Sequence, residues 1–249
     1  MFPYRRTTSK GTIEFRPIKS EDVELAIAIQ QQSMTQECIA IGVGMFEEFG
    51  APEEMIPLFK EVIKDSCSIV AVHLEKQQVV AVAFNKLHVP LNSEEEDPFS
   101  LFIQENIKHA SCLGLINFIN NIESKVDLFE KYDVSAILEI FYMGTDSEYR
   151  GCGIGQELVE ATIKFVKCLA EGKVTRTEIG ENTTLEEVKP EVVFGVFASN
   201  FSQRIAEKFN FTWLATISYD EYLHEGKKLS ERIGSEHKTA RLGAIKVQQ

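Results

Sequence analysis

The sequence lacks the patterns that mark a membrane, disulfide-bonded or zinc-binding protein. No run of apolar residues approaches the roughly 18 to 20 that a membrane-spanning helix needs. No apolar segment follows the arginines of residues 1–11, as it would in a signal peptide. The five cysteines are scattered, without a Cys-x-x-Cys pair or a Cys/His cluster. We therefore expect a cytoplasmic protein with free thiols, no membrane partner and no bound metal.

Basic residues are fewer than acidic residues. The chain has 26 Lys and Arg against 38 Asp and Glu, which is a formal net charge of −12. Recognition of nucleic acid begins with a basic patch, so this balance predicts no nucleic-acid partner. The overall negative field would attract cations, and it is compatible with an amine, a polyamine or a basic peptide as substrate.

The order of apolar patterns predicts a mixed α/β structure. A length of 249 residues suits one domain with an insertion, and 44% hydrophobic residues allow a sizeable core. Seven strands are predicted, at 12–17, 68–74, 79–87, 135–145, 192–198, 213–223 and 239–247. A first helix is predicted from residue 20 and loses its pattern at 38–44, and further helices are predicted at 52–64, within 99–132, at 156–169 and at 202–209. Polar connections are predicted at 92–98, 172–190 and 224–238.

A glycine-rich turn, residues 150–155 (RGCGIG), joins the strongest predicted strand to a helix. Backbone N–H groups at a helix N-terminus and the helix dipole favour a phosphate or pyrophosphate group. A tight turn that needs glycine only for its dihedral angles is the alternative. The Walker Gly-Lys-Ser/Thr sequence is absent, and the alternating glycine spacing does not match the G-x-G-x-x-G of dinucleotide sites.

The pattern Arg-x-x-Gly-x-Gly after an apolar strand resembles the acetyl-CoA loop of the GCN5-related N-acetyltransferase (GNAT) superfamily. The resemblance covers most of the chain, from FRPI at 15–18 to KFNF at 208–211. It is closer still to the insect arylalkylamine N-acetyltransferases, through VDLFEKY at 126–132, LEI at 138–140 and a helical insertion after the hairpin.

This resemblance implies an α/β (α+β) fold with a mixed central sheet of about seven strands flanked by helices. It implies a single N-acetyltransferase domain over 1–249, with a helical insertion at about 92–134. Acetyl-CoA would be the co-substrate, with its pyrophosphate on the backbone of the glycine turn and its pantetheine arm paired to the end of the preceding strand. The residues assigned to this donor site are Met143, Gly144, Thr145, Arg150, Gly151, Cys152, Gly153, Ile154 and Gly155.

Acetyl transfer to an amine sets its own chemical requirements. The amine, with a pKa near about 10, must lose a proton before it can attack. The thioester carbonyl needs an oxyanion donor, and the leaving CoA thiolate should be protonated or stabilised. A covalent enzyme intermediate is not required, and no Ser/His/Asp or Cys/His arrangement is discernible.

Glu37 is the candidate general base. It stands where the first helix breaks, at the position where the insect enzymes carry a Glu-Pro pair; here Cys38 replaces the proline. A carboxylate there could take the proton directly or through water and attract the cationic amine. An ordinary exposed acidic residue is the alternative.

Ser202 is the candidate acid for the leaving thiolate, with Ser199 nearby. Many members of the superfamily use a tyrosine in the helix after the late strand, but the matching position here is near Ala206, whereas the insect branch has serines at this turn. The alternative is that Ser199 or Asn200 caps the short helix, and both roles are compatible.

Other residues are more ambiguous. His73, on an apolar strand, is interpreted as a satisfied core or edge histidine, whereas His88 at a strand end could line the site. A catalytic role for the Cys152 thiol is not favoured. Four aromatic residues could line an amine pocket or belong to the core: Phe46, Phe49, Phe141 and Tyr142.

The function predicted from the sequence is direct acetyl transfer to a small primary amine, with arylalkylamines such as dopamine, serotonin or tyramine as acceptors. The chain is expected to act as a monomer. Three alternatives stay open: a polyamine or agmatine acetyltransferase, a protein lysine acetyltransferase, and a non-catalytic acyl-CoA-binding module.

Overall fold

The computed structural model describes residues 2–91, 96–180, 185 and 187–247, which form a mixed α/β structure. The strands are β1 (Tyr4–Thr8), β2 (Gly11–Pro17), β3 (Ile69–His73), β4 (Gln78–His88), β5 (Ile137–Thr145), β6 (Val192–Phe197), β7 (Thr212–Ser218), β8 (Leu223–His224), β9 (Lys227–Lys228) and β10 (Thr239–Lys246). The helices are α1 (Val23–Met34), α2 (Cys38–Gly42), α3 (Ala51–Ile63), α4 (Pro98–Asn106), α5 (Ala110–Glu123), α6 (Leu128–Tyr132), α7 (Ile154–Ala170), α8 (Asn200–Lys208) and α9 (Leu229–Ile233). Short 3-10 turns lie at Ser20–Asp22, Met45–Glu47 and Ser147–Tyr149.

The central sheet has eight strands in the order β1-β2-β3-β4-β5-β6-β10-β7. All seven predicted strands are present. The eighth is β1, an edge strand that pairs antiparallel with β2. Its sequence, YRRTT, is mostly exposed and carries no alternating apolar pattern, so only its backbone pairing reveals it as a strand.

The pair β5 and β6 differs from the rest of the sheet because it is parallel and short. Pairing runs only from Ile137–Glu139 to residues 192–194. Opposite β4, a register shift at Phe84/Asn85 adds a bulge to β5, and bulges bend the strand that carries them. Past Glu139 the two strands therefore separate, while β6 stays paired with β10. The gap between them is where the candidate site lies.

Hydrophobic cores cover both faces of the sheet. On one face, the buried side chains of α1, α2, α3 and α5 form a single cluster with those of the strands. On the other face, α7 packs its apolar stripe, which includes Leu158 and Phe165, against β3 and β4. Since β3 and the first part of β4 are buried on both faces, their sequences are almost continuously apolar.

The structure corrects two predictions of local structure. The first helix ends at Met34, before the break predicted at 38–44. That segment contains a second helix, α2, although its glycines and β-branched residues predicted none. Gly42 permits close packing there, because an added Cβ would lie 3.1 Å from Leu229 of α9. The strand predicted at 213–223 ends at Ser218, and the polar stretch after it contains the β8–β9 hairpin and α9.

Three helices fill the predicted insertion. They are α4, α5 and α6, and Asp97 caps the first of them by accepting hydrogen bonds from Phe99 and Ser100. Most of the acidic loop predicted at 92–98 falls on residues 92–95, outside the described residues. The same is true of 181–184 and 186 within the loop predicted at 172–190. No helix in the described ranges is both long and apolar enough to cross a membrane.

Candidate active site

A cavity of about 840 Å³ opens between the separated ends of β5 and β6. Its walls come from those two strands, the first turns of α7 and α8, the junction of α1 with α2, and helices α3, α4 and α5. Sheet geometry explains the position, because strands that stop pairing leave room between them. The predicted donor and acceptor residues therefore have a common space to face.

The glycine turn forms one end of this cavity. Gly151 and Gly153 have φ of +74° and +79°, a left-handed region that favours glycine. An added Cβ at either position would meet nothing within 4 Å, so the turn needs glycine for its backbone conformation and leaves open space beside it. The first N–H groups of a helix have no intrahelical partner, and Ile154 and Gly155 at the start of α7 line the cavity.

Arg150 links the glycine turn to the other side of the cavity. Its Nε donates to the carbonyl oxygen of Thr145 at 3.3 Å, and its Nη1 donates to the side-chain oxygen of Gln36. Gln36 is the neighbour of Glu37, so this arginine holds the end of β5, the turn and the α1–α2 junction together.

Not all predicted donor residues face the cavity. Met143 and Thr145 of β5 line it, as do Arg150, Gly151, Gly153, Ile154 and Gly155. Gly144 instead lies under α1, where an added Cβ would be 2.4 Å from the Ser33 hydroxyl oxygen. Cys152 is also outside the cavity wall, and its Sγ lies 3.8 Å from the Ser9 hydroxyl.

Glu37 lies half-buried in the cavity wall, as the N-cap residue of α2. Its Oε2 accepts a hydrogen bond from the backbone N–H of Ala40 at 2.6 Å. Burial raises the pKa of Glu37 above its ordinary value, and hydrogen bonds from the backbone N–H groups of residues 38–40 oppose that rise. A carboxylate with a raised pKa is a stronger base than an exposed one.

The cysteine that replaces the proline does not disturb this cap. Cys38 occupies the first position of α2, which is where proline is best tolerated in a helix. The position therefore accepts either residue, and the carboxylate of Glu37 keeps its orientation. Burial raises the pKa of the Cys38 thiol to about 12, with a further contribution from the charge of Glu37, so the thiol stays protonated.

Ser199 and Ser202 both line the cavity, and they form a capping box for α8. The Ser199 Oγ accepts from the Ser202 N–H at 3.1 Å, and the Ser199 N–H donates to the Ser202 Oγ at 3.1 Å. Ser202 Oγ also donates to the Ser199 carbonyl oxygen at 3.0 Å. The helix-capping interpretation of Ser199 is thus confirmed.

Tyr142 brings a hydroxyl group close to Glu37, whereas its sequence pattern indicates only an aromatic side chain of the pocket or the core. Tyr142 lines the cavity, and its hydroxyl lies 2.9 Å from the Ser33 hydroxyl. Burial, together with the charge of Glu37, raises the Tyr142 pKa, whereas the hydrogen bond with Ser33 opposes that rise. Phe141 lines the cavity too, whereas Phe46 and Phe49 are exposed and do not.

The end of the cavity away from the glycine turn is acidic. Glu139 of β5 lies there with Glu123 of α5. His88 also lines the cavity, and its Nε2 is 2.8 Å from Glu139 Oε2. His73 does not line the cavity, and its Nε2 forms a hydrogen bond with the carbonyl oxygen of Lys10 at 2.7 Å.

Sequence reasoning missed the two carboxylates. A glutamate within the buried apolar strand SAILEIFYMGT was the available signal for Glu139, because charges are rarely buried without a partner. Glu123 gave no such signal in its helix. The described residues contain no cluster of three or more His, Cys, Asp or Glu side chains that could hold a metal ion.

Comparison with known proteins assigns this architecture. The model of the acetyltransferase (GNAT) family matches residues 59–184, about half of the chain. The chain belongs to this family. It is therefore an acyltransferase, and its eight-stranded mixed sheet with flanking helices is the GNAT fold.

Three solved structures of similar fold come from insects. Putative arylalkylamine N-acetyltransferase 7 of the mosquito Aedes aegypti shares 18% identity over 99% of this chain and 94% of its own, with a TM-score of 0.75. Arylalkylamine N-acetyltransferase 2 of Aedes aegypti shares 20% identity over 95% of this chain and 99% of its own, with a TM-score of 0.74. A Drosophila melanogaster polyamine N-acetyltransferase that forms N-acetylagmatine shares 15% identity over 94% of this chain and 99% of its own, with a TM-score of 0.67.

Proposed function

We propose that this GNAT acyltransferase transfers an acetyl group from acetyl-CoA to a small primary amine, with Glu37 as general base. The observation that carries the proposal is that one cavity is lined at once by the glycine turn before α7 and by the half-buried carboxylate of Glu37. The turn supplies an anion site, and the carboxylate supplies a base for a cationic acceptor.

The donor half of the site fits a CoA molecule. The N–H groups at the start of α7 would bind the pyrophosphate, since they combine free donors with the positive end of the helix dipole. The edge of β5 beyond Glu139, released by its separation from β6, would pair with the amides of the pantetheine arm near Met143 and Thr145. Gly144 contributes to this edge only through its backbone, because its α-carbon faces α1.

Transfer would be direct. Glu37 takes a proton from the ammonium group, and the free amine nitrogen attacks the thioester carbonyl carbon. The C–N bond forms and the C–S bond breaks, while the nitrogen loses a second proton to become an amide. The thiolate takes a proton from the Ser202 hydroxyl, and the second proton from the nitrogen restores that hydroxyl through solvent. Ser202 is the proposed proton donor, with Ser199 holding it at the first turn of α8.

Arylalkylamines are the first candidate acceptors. The support is an apolar and aromatic wall beyond Glu37, which includes Phe59, Phe99 and Phe141, together with the fold shared with mosquito arylalkylamine N-acetyltransferases. We place the chain in that insect branch, as a cytoplasmic monomer with one domain and an insertion at about 92–134.

Polyamines or agmatine are the second candidate class. The observation that favours them is the acidic end of the cavity, formed by Glu123 and Glu139. The fold shared with the Drosophila polyamine N-acetyltransferase points the same way.

The test is release of CoA thiol from acetyl-CoA in the presence of a panel of amines. Arylalkylamines, polyamines, agmatine and a lysine peptide are compared on the unaltered protein and on Glu37→Ala and Ser202→Ala. Turnover of free amines that depends on Glu37 supports the proposal. Faster transfer to the peptide would instead support a protein acetyltransferase. Tight CoA binding without turnover of any acceptor would indicate a non-catalytic module.

A further inference from the structure

The acidic end of the cavity consists of two carboxylates held by different elements. Glu139 is buried on β5, and its Oε2 is in contact with His88 of β4. Glu123 comes from α5, whose cavity-facing stripe runs through Leu115 and Ile119 before it reaches this carboxylate. Residues four apart share one face of a helix, so the stripe is apolar near its middle and acidic at its end.

One carboxylate oxygen of Glu123 has no hydrogen-bond partner among the described residues. This atom, Oε1, is buried. Burial, the nearby charge of Glu139 and a hydrogen bond with the Glu139 side chain raise the pKa of Glu123 well above its ordinary value. Buried carboxylates are normally paired with a donor or a cation. The site therefore has acceptor capacity that the described protein groups leave unused.

Protein cations in the cavity are engaged at its opposite end. Arg150 binds Thr145 and Gln36 beside the glycine turn, and the Lys208 Nζ donates to the Gln156 side chain at 2.7 Å. Among the ion pairs of the described residues, Glu139 pairs with His88, and Glu123 pairs with none. Apart from His88 at Glu139, a positive group that meets the two carboxylates would have to come from a ligand.

The acidic end is also well separated from the reacting end. Glu139 and Met143 are four residues apart along β5, and because the bulge of that strand lies between them, their separation is somewhat less than the roughly 13 Å of a regular extended strand. An amine that reaches Glu37 could extend past the apolar wall and place its far end beside Glu139. A linear acceptor fits this arrangement better than a compact one.

We propose that Glu123 and Glu139 form a subsite for a second cationic group of the acceptor, an ammonium or a guanidinium. This inference rests on the proposed function and favours the second of its two candidate acceptor classes, represented by diamines and guanidinoalkylamines. Two carboxylates that face one cavity offer several acceptor oxygens to the N–H groups of such a cation. The bound cation would also remove the repulsion between the two carboxyl groups.

The test compares acceptors that differ only in their second charge. 1,8-Diaminooctane and octylamine form one matched pair that is long enough to reach both ends of the cavity, agmatine is the guanidinium probe, and phenethylamine carries a neutral aromatic ring instead. The kcat/KM of each is measured on the unaltered protein and on Glu123→Gln and Glu139→Gln, which keep the side-chain shape without the charge. Glu105→Gln, at an exposed position on α4, is the matched control. Calorimetric binding of agmatine to the same four proteins provides a readout independent of turnover.

We expect 1,8-diaminooctane to exceed octylamine in kcat/KM, and the Glu123→Gln exchange to lower the ratio of the two values roughly 10- to 100-fold, as for loss of a hydrogen bond to a charged group. Agmatine binding should weaken by a similar factor, whereas Glu105→Gln should change neither quantity. If the protein acetylates amines but Glu123→Gln leaves the kcat/KM ratio of diamine to monoamine unchanged, the subsite is refuted and the acetyltransferase proposal still holds. If no amine causes thiol release but agmatine still binds and Glu123→Gln abolishes that binding, the subsite is supported and the proposed function is refuted.

Discussion

The carboxylate of Glu37 lies 2.6 Å from the backbone nitrogen of Ala40, so that one side chain caps α2 and faces the cavity. The cap fixes where the carboxylate points, because the hydrogen bond permits few side-chain conformations. A structural role and a proposed chemical role thus share one residue, and variants must be chosen to separate them.

Replacement of Glu37 by Gln should lower kcat/KM by roughly 10²- to 10⁴-fold, the usual contribution of a general base. A glutamine oxygen can still accept from the Ala40 N–H, so thermal stability and CoA affinity should stay close to those of the unaltered protein. Kinetics, thermal unfolding and CoA titration check this on one preparation. Glu53→Gln, at an exposed position on α3, is the control. Undiminished turnover in Glu37→Gln would remove the base assignment.

The pH dependence of kcat/KM should report the same carboxylate. Because burial raises the pKa of Glu37, and because a base acts in its deprotonated form, activity should fall as pH falls through that raised pKa. The acidic limb should therefore lie above the range of an ordinary exposed glutamate. A pH–rate profile measured with two amines of different pKa identifies the limb that belongs to the protein. The Glu37→Gln variant should lack it.

The two serines of the α8 capping box should respond differently to alanine. Ser199→Ala removes the acceptor for the Ser202 N–H and should cost about 1 kcal/mol in unfolding free energy. Ser202→Ala should in addition lower kcat by roughly 10²-fold if its hydroxyl protonates the thiolate. Urea unfolding and steady-state kinetics on both variants distinguish the roles. Equal kinetic losses in the two would mean that capping alone matters.

An alanine at Gly144 should destabilise the protein. Its Cβ would lie 2.4 Å from the Ser33 Oγ, and such overpacking typically costs about 1 to 3 kcal/mol. Ser33→Ala in the same chain removes that oxygen, so the double variant should be more stable than the sum of the single effects predicts. Urea unfolding of the four proteins measures the coupling. Strict additivity would contradict the close contact between β5 and α1.

A buried ion pair near the start of α1 should matter more than an exposed one on the same sheet. Arg16 Nη1 and Nη2 lie 2.6 Å and 2.9 Å from the two carboxylate oxygens of Asp22. Arg16→Ala leaves this carboxylate buried with only backbone support and should cost about 3 kcal/mol of unfolding free energy. Arg5→Ala breaks the exposed pair with Glu14 and should cost less than about 1 kcal/mol. Urea denaturation curves compare the two, and similar losses would be evidence against the prediction.

Local pattern determined much of this protein from its sequence alone. The seven predicted strands and the long helices α3 and α7 were readable because a buried face imposes a repeat on the residues that form it. The glycine turn was readable for a related reason, since its backbone needs left-handed φ values at Gly151 and Gly153. The GNAT assignment followed from these features in their order along the chain.

Only the tertiary structure decided the elements and contacts without a local pattern. Strand β1 exists through pairing with β2, and α2 forms where packing against α9 outweighs an unfavourable composition. Glu123 and Glu139 belong to different elements and meet because α5 packs beside the gap between β5 and β6. Sequence periodicity reports which face of an element is buried. It carries no information on which other element covers that face, so the glycine turn could be predicted from the chain and the acidic end of the cavity could not.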